Sequence, residues 1–239
     1  MEAIVASLEF EKSLIITAPP GWGKTFKLLE ALKVTKRKTI FVFPLRALCD
    51  EVFISASKAG INVCNIRSVK EFQELESGLF DLILSTPECL HQDKIEQIQE
   101  DHLIILDECH LFYYWGETFR ERMFDIYEEL ISYGAPLILL SATINSELME
   151  RFKFHLDFNY REIFHMDVGN QKLKNLPAKS FYYPKSLRPW LVDDFKYSKK
   201  KGISLIFCKY RKQVNELAIE LRGFGHKVLT CVGGESREF

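Results

Sequence analysis

Lys24 and Thr25 close the segment Ala18-Pro-Pro-Gly-Trp-Gly-Lys-Thr25, which directly follows the apolar run Leu14-Ile15-Ile16. A buried strand, a glycine-bearing loop and a helix start, in that order, cradle a nucleoside triphosphate. The N–H groups of the loop and first helical turn point at the phosphates, and the helix dipole favours negative charge there. Lys24 would reach the β- and γ-phosphates, and the Thr25 hydroxyl would hold Mg²⁺. The candidate nucleotide contacts are Ala18, Pro19, Pro20, Gly21, Trp22, Gly23, Lys24, Thr25 and Phe26. Ala18 stands where the commonest pattern has its first glycine. The alternative is a fortuitous Gly-Lys-Thr helix start.

A second set of chemical groups lies at Asp107-Glu-Cys-His110, behind the apolar run Leu103-Ile-Ile-Leu106. In a doubly wound parallel sheet the carboxyl ends of the strands face the ligand crevice, so these carboxylates would stand beside the phosphate loop. Asp107 would hold Mg²⁺ through water. Glu108 would orient and activate the water that attacks the γ-phosphate. Lys24, Asp107, Glu108 and His110 are the catalytic candidates, and Thr25 and Asp107 the metal ligands. The plain alternative is a solvated acidic turn after a core strand.

The elements that must position these groups follow from periodicity. Apolar runs at Ser13–Thr17, Thr39–Phe43, Asn62–Ile66, Leu79–Ser85, His102–Asp107 and Pro136–Ser141 read as strands. Helical patterns at Lys24–Val34, Leu45–Lys58, Val69–Ser77, Pro87–Gln99 and Phe119–Ser132 alternate with them. Near-continuous apolar strands separated by helices predict a parallel sheet covered on both faces, an α/β fold of doubly wound topology. This first domain spans 1–168. A linker over 169–189 follows, then a partial second α/β unit over 190–239, with strands at Ile203–Cys208 and Lys227–Val232 around a helix at Arg211–Gly223.

Bulk composition sets limits. The chain has 239 residues, 47% hydrophobic and 27% charged, which suits a substantial core under a soluble surface. Lys+Arg 32 against Asp+Glu 33 gives no overall basic character, so nucleic acid would have to be bound by local patches. The 6 cysteines include no Cys-x-x-Cys pair, which points to reduced thiols in the cytoplasm. No apolar run approaches the ~20 residues that span a bilayer, so no membrane partner is expected. His102, His155, His165 and His226 lack ligand-like spacing and read as structural or exposed. Lys199-Lys200-Lys201 reads as a solvated helix end.

The phosphate loop, the Asp-Glu-x-His box and Ser141-Ala142-Thr143 together resemble superfamily 2 DExH-box helicases. Phe43-Pro-Leu-Arg-Ala-Leu48 resembles that family's motif Ia, Ser85-Thr-Pro-Glu88 its motif Ib and Leu205-Ile-Phe-Cys208 its motif IV. The resemblance implies a P-loop NTPase with a RecA-like sheet and a partial second RecA-like domain. It also implies ATP and Mg²⁺ as cofactors and single-stranded nucleic acid as the track. Pro44, Arg46, Thr86 and Pro87 would touch the strand backbone, with Thr86 capping a helix that Pro87 opens. For Arg46 the alternative is an ordinary solvated arginine. Ser141, Ala142 and Thr143 would couple the acidic box to strand binding.

A narrower resemblance lies in His110-x4-Trp115-Gly-x2-Phe119-Arg120, which looks like the aromatic-rich loop of RecQ-type DNA helicases. It implies that Trp115, Phe119 and Arg120 contact single-stranded nucleic acid, DNA rather than RNA. Aromatic rings stack on unpaired bases at ~1–3 kcal/mol each. The expectation is a loop carrying Phe112, Tyr113, Tyr114, Trp115 and Phe119; the alternative is that some of these rings are core.

The expected function is therefore an ATP-dependent helicase or translocase core. Two alternatives stand beside it: a nucleotide- and nucleic-acid-binding module with little turnover, and the ATPase subunit of a CRISPR or restriction-type machine. Many members of the resembled family select adenine with an upstream glutamine, whereas the first glutamine here is Gln73, so base selection is either loose or made by Phe10 or another early residue. The family also closes its ATP site with arginines of a second domain. Those motifs are not found before Phe239, and Arg237 reads as a surface residue. The expectation is that a protein partner or a missing C-terminal half supplies them.

Overall fold

The structure, a computed structural model, describes residues 13–133, 136–158, 162–168, 192–193, 195–196, 203–208 and 210–232. The chain divides into two compact units, Met1–Lys174 and Asn175–Phe239. Phe10, the expected linker at 169–189, Lys199–Lys201 and Arg237 lie outside the described residues.

The first unit is built on seven parallel strands: β1 (Ser13–Thr17), β2 (Thr39–Val42), β3 (Val63–Asn65), β4 (Leu82–Ser85), β5 (Leu103–Leu106), β6 (Leu137–Ser141) and β7 (Ile163–Asp167). They lie in the order β3-β4-β2-β5-β6-β1-β7. Every paired register is parallel, with Ile15 opposite Leu139 and Ile105 opposite Ile138. Side chains alternate between two cores. Ile15, Ile40, Ile83 and Ile104 enter one, and Leu14, Phe41, Leu82 and Leu103 the other. Apolar residues are thus needed on both faces, which is why these strands read as continuous apolar runs.

The crossover helices are α1 (Lys24–Thr35), α2 (Arg46–Lys58), α3 (Val69–Gln73), α4 (Gln92–Ile98), α5 (His110–Gly116), α6 (Glu121–Ser132) and α7 (Ser146–Phe158). Helix α6 shows the cause most plainly. Its buried residues Met123, Ile126, Tyr127, Leu130 and Ile131 recur at the helical spacing and form one apolar face.

Several expectations change. The segment expected as one helix from Pro87 to Gln99 is a 3₁₀ turn, Pro87–Cys89, followed by α4 and a second 3₁₀ turn, Gln99–Asp101. Leu90 and His91 are extended between them, and Leu90 is sunk in the core. Helix α3 ends at Gln73, and the strand expected from Leu79 begins at Leu82 because Ser77–Leu79 is a 3₁₀ turn. Helix α7 and strand β7 were absent from the sequence reading. In α7, Asn145 caps the start by accepting the Leu148 N–H at 2.8 Å, and Leu148, Phe152 and Leu156 are buried at i, i+4, i+8.

In the second unit, the helix expected at Arg211–Gly223 forms, as α8, and buries Leu217, Ala218 and Leu221. The two strands expected around it, Ile203–Cys208 and Lys227–Val232, are not formed. A strand exists only through its neighbours' N–H and C=O groups, and here Ile203, Phe207 and Leu229 are 95%, 92% and 86% exposed.

Candidate ATP and strand-binding site

The phosphate loop leaves β1 at Thr17 and enters α1 at Lys24. Two glycines make the turn possible: Gly21 and Gly23 have φ of 79° and 84°, a left-handed backbone that side chains with a Cβ rarely adopt. Gly23 is the N-cap of α1, so the first N–H groups of that helix point into the loop. The loop is tied to β6 by the Ala18 N–H, which donates to the Ser141 carbonyl at 3.1 Å. Lys24 Nζ donates to the Ala18 carbonyl at 3.0 Å, folding the ammonium back over the loop. Trp22 packs against the core on one side, and the Lys27 ammonium sits 4.9 Å from its ring. Phe26 is exposed beside the loop, as are Pro20 and Gly21.

Strand β5 carries the acidic box to the same end of the sheet, with β6 between it and β1. Asp107 is buried, and its N–H donates to the Val42 carbonyl at 3.0 Å. Burial first, and the adjacent Glu108 carboxylate second, push the Asp107 carboxyl up to about 6. The Glu108 backbone N–H and Lys24 pull the other way. A buried carboxylate held above its ordinary range next to a second carboxylate is a group whose charged form a divalent cation would favour. With the Thr25 hydroxyl it could offer the hard oxygen donors that Mg²⁺ takes.

Glu108 has φ of 45°, one of two non-glycine residues in the left-handed region among those described. That twist lets Cys109 bury fully while the half-buried Glu108 turns outward. Cys109 is a core filler, its thiol raised well above its usual range by burial. His110 Nδ1 lies 2.8 Å from Ser141 Oγ and 3.4 Å from Glu108 Oε2. Burial lowers the His110 pKa, against the pull of Glu108, so the ring favours its neutral form. Ser141 Oγ also accepts the Thr143 N–H at 3.0 Å, and the half-buried Ala142 lies between them. Acidic box, phosphate loop and Ser-Ala-Thr segment are therefore joined at the carboxyl ends of three adjacent strands.

The residues expected to meet a nucleic acid lie at the carboxyl ends of β2 and β4 and in and just after α5. Arg46 is exposed and donates through Nη2 to the Arg67 carbonyl at 3.2 Å. Thr86 is buried, and its hydroxyl lies 3.6 Å from Cys89 Sγ instead of capping a helix. Pro87 is buried in a 3₁₀ turn too short to leave a row of free N–H groups. The expected helix-cap geometry is absent there because the chain turns back into the core at Cys89 and Leu90.

The aromatic segment is helical from His110 to Gly116, as α5, and of the expected contacts only Phe119 and Arg120 lie in the turn that follows. Phe112 and Tyr113 are core, which fixes the helix on the sheet. The outward rings are Tyr114, the half-buried Trp115 and Phe119, 67% exposed. Trp115 and Phe119 face each other at 5.6 Å between ring centroids. Arg120 lies 5.5 Å from the Trp115 ring, donates to the Pro44 carbonyl at 2.6 Å, and forks onto the Glu88 carboxylate through Nε at 2.8 Å and through Nη2. Sequence reasoning gave Glu88 no role. It lies 32 residues from Arg120, a pairing that only the fold brings together.

A family model for DEAD/DEAH box helicases matches residues 1–151. The chain is 23% identical over 241 residues to the mouse bifunctional 3'-5' exonuclease/ATP-dependent helicase WRN, covering 92% of this chain and 16% of that protein. It is 23% identical over 235 residues to the ATP-dependent DNA helicase RecQ of Bacillus subtilis, covering 92% and 39%. It is 25% identical over 245 residues to the ATP-dependent DNA helicase Hel308 of Methanococcus vannielii, covering 86% and 31%. The chain thus spans well under half the length of these relatives.

Proposed function

We propose, for a chain that belongs to the DEAD/DEAH box helicase family, an ATP-driven motor core that works on single-stranded DNA. One observation carries the reading: the phosphate loop, Asp107–Glu108 and the His110–Ser141 pair converge at the carboxyl ends of β1, β5 and β6. Lys24 would exchange the Ala18 carbonyl for phosphate oxygens, while the N–H groups opening α1 hold the remaining charge. Thr25, and Asp107 through water, would hold Mg²⁺, which when bound would supply positive charge to the phosphate oxygens. Glu108 orients the attacking water and takes its proton as the water oxygen bonds to the γ-phosphorus and the bridging oxygen departs with the diphosphate. His110, neutral and bound to Ser141, carries the state of this site to the Ser-Ala-Thr segment.

Single-stranded DNA would cross the carboxyl ends of β2 and β4, contacting Arg46 and stacking on Trp115 and Phe119. The RecQ and Hel308 relatives favour DNA over RNA, and the exposed ring of Phe119 supports a stacking contact. Arg120, spent on Glu88 and Pro44, would hold Trp115 in place. No helix among the described residues is long and apolar enough to cross a membrane. We assign the protein to the cytoplasm, which its six free cysteines favour.

Fluorescence anisotropy with labelled oligonucleotides tests the track. Wild type should bind single-stranded DNA more tightly than RNA or duplex, and Phe119→Ala should weaken binding about 5- to 160-fold. Equal affinity for duplex and single strands, untouched by Phe119→Ala, would refute the proposed path.

A further inference from the structure

Helix α7 belongs to none of the motifs that carry the proposed function, yet side chains from it and from the segment that leads to it from the end of β6 reach the start, the middle and the C-cap of α5. At the start of α5, His110 pairs with Ser141. Next, the Tyr113 hydroxyl lies 3.1 Å from His155 Nδ1 and donates to the Tyr127 hydroxyl at 3.3 Å. These polar atoms are enclosed by the rings of Phe124, Tyr127 and Phe152, which pack edge-on or tilted around Tyr113 and Tyr127. Tyr114 accepts from Asn145 Nδ2 at 3.5 Å. At the far end Glu117, the C-cap of α5, accepts from Arg151 Nη1 at 3.0 Å, while Nη2 of the same guanidinium donates to Glu147 at 3.1 Å.

Just beyond Glu117, Arg120 is fastened to Glu88 and the Pro44 carbonyl. Helix α5 and its following turn therefore join two anchorages. One is the segment Ser141–His155, which starts in the hydrolytic site. The other is the pair of segments expected to carry the strand.

We propose that Arg151, His155 and Tyr113 are positioning residues that make α7 the outer support of the aromatic helix, keeping Trp115 and Phe119 in register with His110 and Ser141. The inference rests on the motor reading and adds to it elements that no motif contains. The Arg151–Glu117 pair is about half exposed on both sides, so by itself it adds little to folding stability. Its removal should leave the fold intact and act on coupling. Tyr113 is buried, and Tyr113→Phe would keep its ring contacts while deleting a hydroxyl that bridges α5, α6 and α7.

The test compares wild type, Arg151→Met, Arg151→Lys and Tyr113→Phe in ATP hydrolysis with increasing single-stranded DNA. Basal kcat and the KM for ATP should stay within about twofold of wild type in all three variants. Strand-stimulated kcat should fall about fivefold in Arg151→Met and Tyr113→Phe, inside the about 2- to 30-fold range that coupling residues span, and Arg151→Lys should recover most of it. Full stimulation in both Arg151→Met and Tyr113→Phe would overturn the inference. So would a parallel fall of basal and stimulated rates, which marks general damage. A wild type that hydrolyses ATP without stimulation by DNA would instead overturn the motor reading, and this inference with it.

Discussion

Replacing Asp107 with asparagine should make the ligand-free protein more stable, by an amount that grows as the pH rises. Asp107 is buried beside Glu108, and its carboxyl is pushed from 3.8 up to about 6, chiefly by loss of water. Because the folded value lies above the unfolded one, the unfolded chain gives up its proton first. The stability that protonated Asp107 contributes is complete below the unfolded value and is lost as the pH climbs through about 6. At ~1.4 kcal/mol per pH unit, the charged carboxylate costs the fold about 3 kcal/mol.

Asparagine has about the same size and does not ionise. The difference in unfolding free energy between Asp107→Asn and wild type should widen by about 2 kcal/mol between about pH 4 and about pH 7. Urea denaturation followed by circular dichroism, in buffer free of Mg²⁺ and nucleotide, gives both curves. The slope of the difference matters, because the asparagine oxygen can still accept the Glu108 N–H and a constant offset has several sources. A difference flat across that range would refute the argument that burial holds this carboxyl high.

Three further outcomes follow from the geometry. Gly116→Ala should destabilise the first unit by about 1–3 kcal/mol, since an added Cβ would lie 2.6 Å from Phe124 Cβ and 2.9 Å from its backbone nitrogen; a lowered urea midpoint checks this. Ser141→Ala should cost about 1–3 kcal/mol, because it strips partners from the Thr143 N–H and His110 Nδ1, and should depress strand-stimulated hydrolysis more than ATP binding. Gly23→Ala should weaken nucleotide binding, measured by calorimetry, because φ of 84° strains any residue with a Cβ at the N-cap of α1.

The parallel sheet was legible because both its faces are buried, so β1, β2, β5 and β6 had to be apolar at nearly every position. The turn at Ala18–Thr25 and the position of Asp107–His110 at a strand end were legible for a related reason: both are set by residues adjacent in sequence. Contacts made across the fold were not. Glu88 became visible only when β4 and α5 brought it to Arg120. Thr86 looked like a cap, but its hydroxyl was claimed by Cys89 within a turn anchored in the core. The aromatic run looked like a loop for stacking bases, yet burial of Phe112 and Tyr113 required a helix there. Strand β7 was missed because an edge strand has one neighbour and can expose Phe164 and His165, which leaves no continuous apolar run. The opposite error occurred at Ile203–Cys208, where an apolar run has, among the described residues, no paired neighbour that would make it a strand.

A hydrolytic site that answers to a nucleic-acid strand must turn over faster when the strand is bound. Steady-state ATP hydrolysis by the purified chain, with and without single-stranded DNA or RNA and beside Glu108→Gln, measures this. Turnover should rise with single-stranded DNA, rise less with RNA, and disappear in Glu108→Gln while ATP binding persists. Turnover indifferent to both polymers, or retained in Glu108→Gln, would show that these groups form no such site.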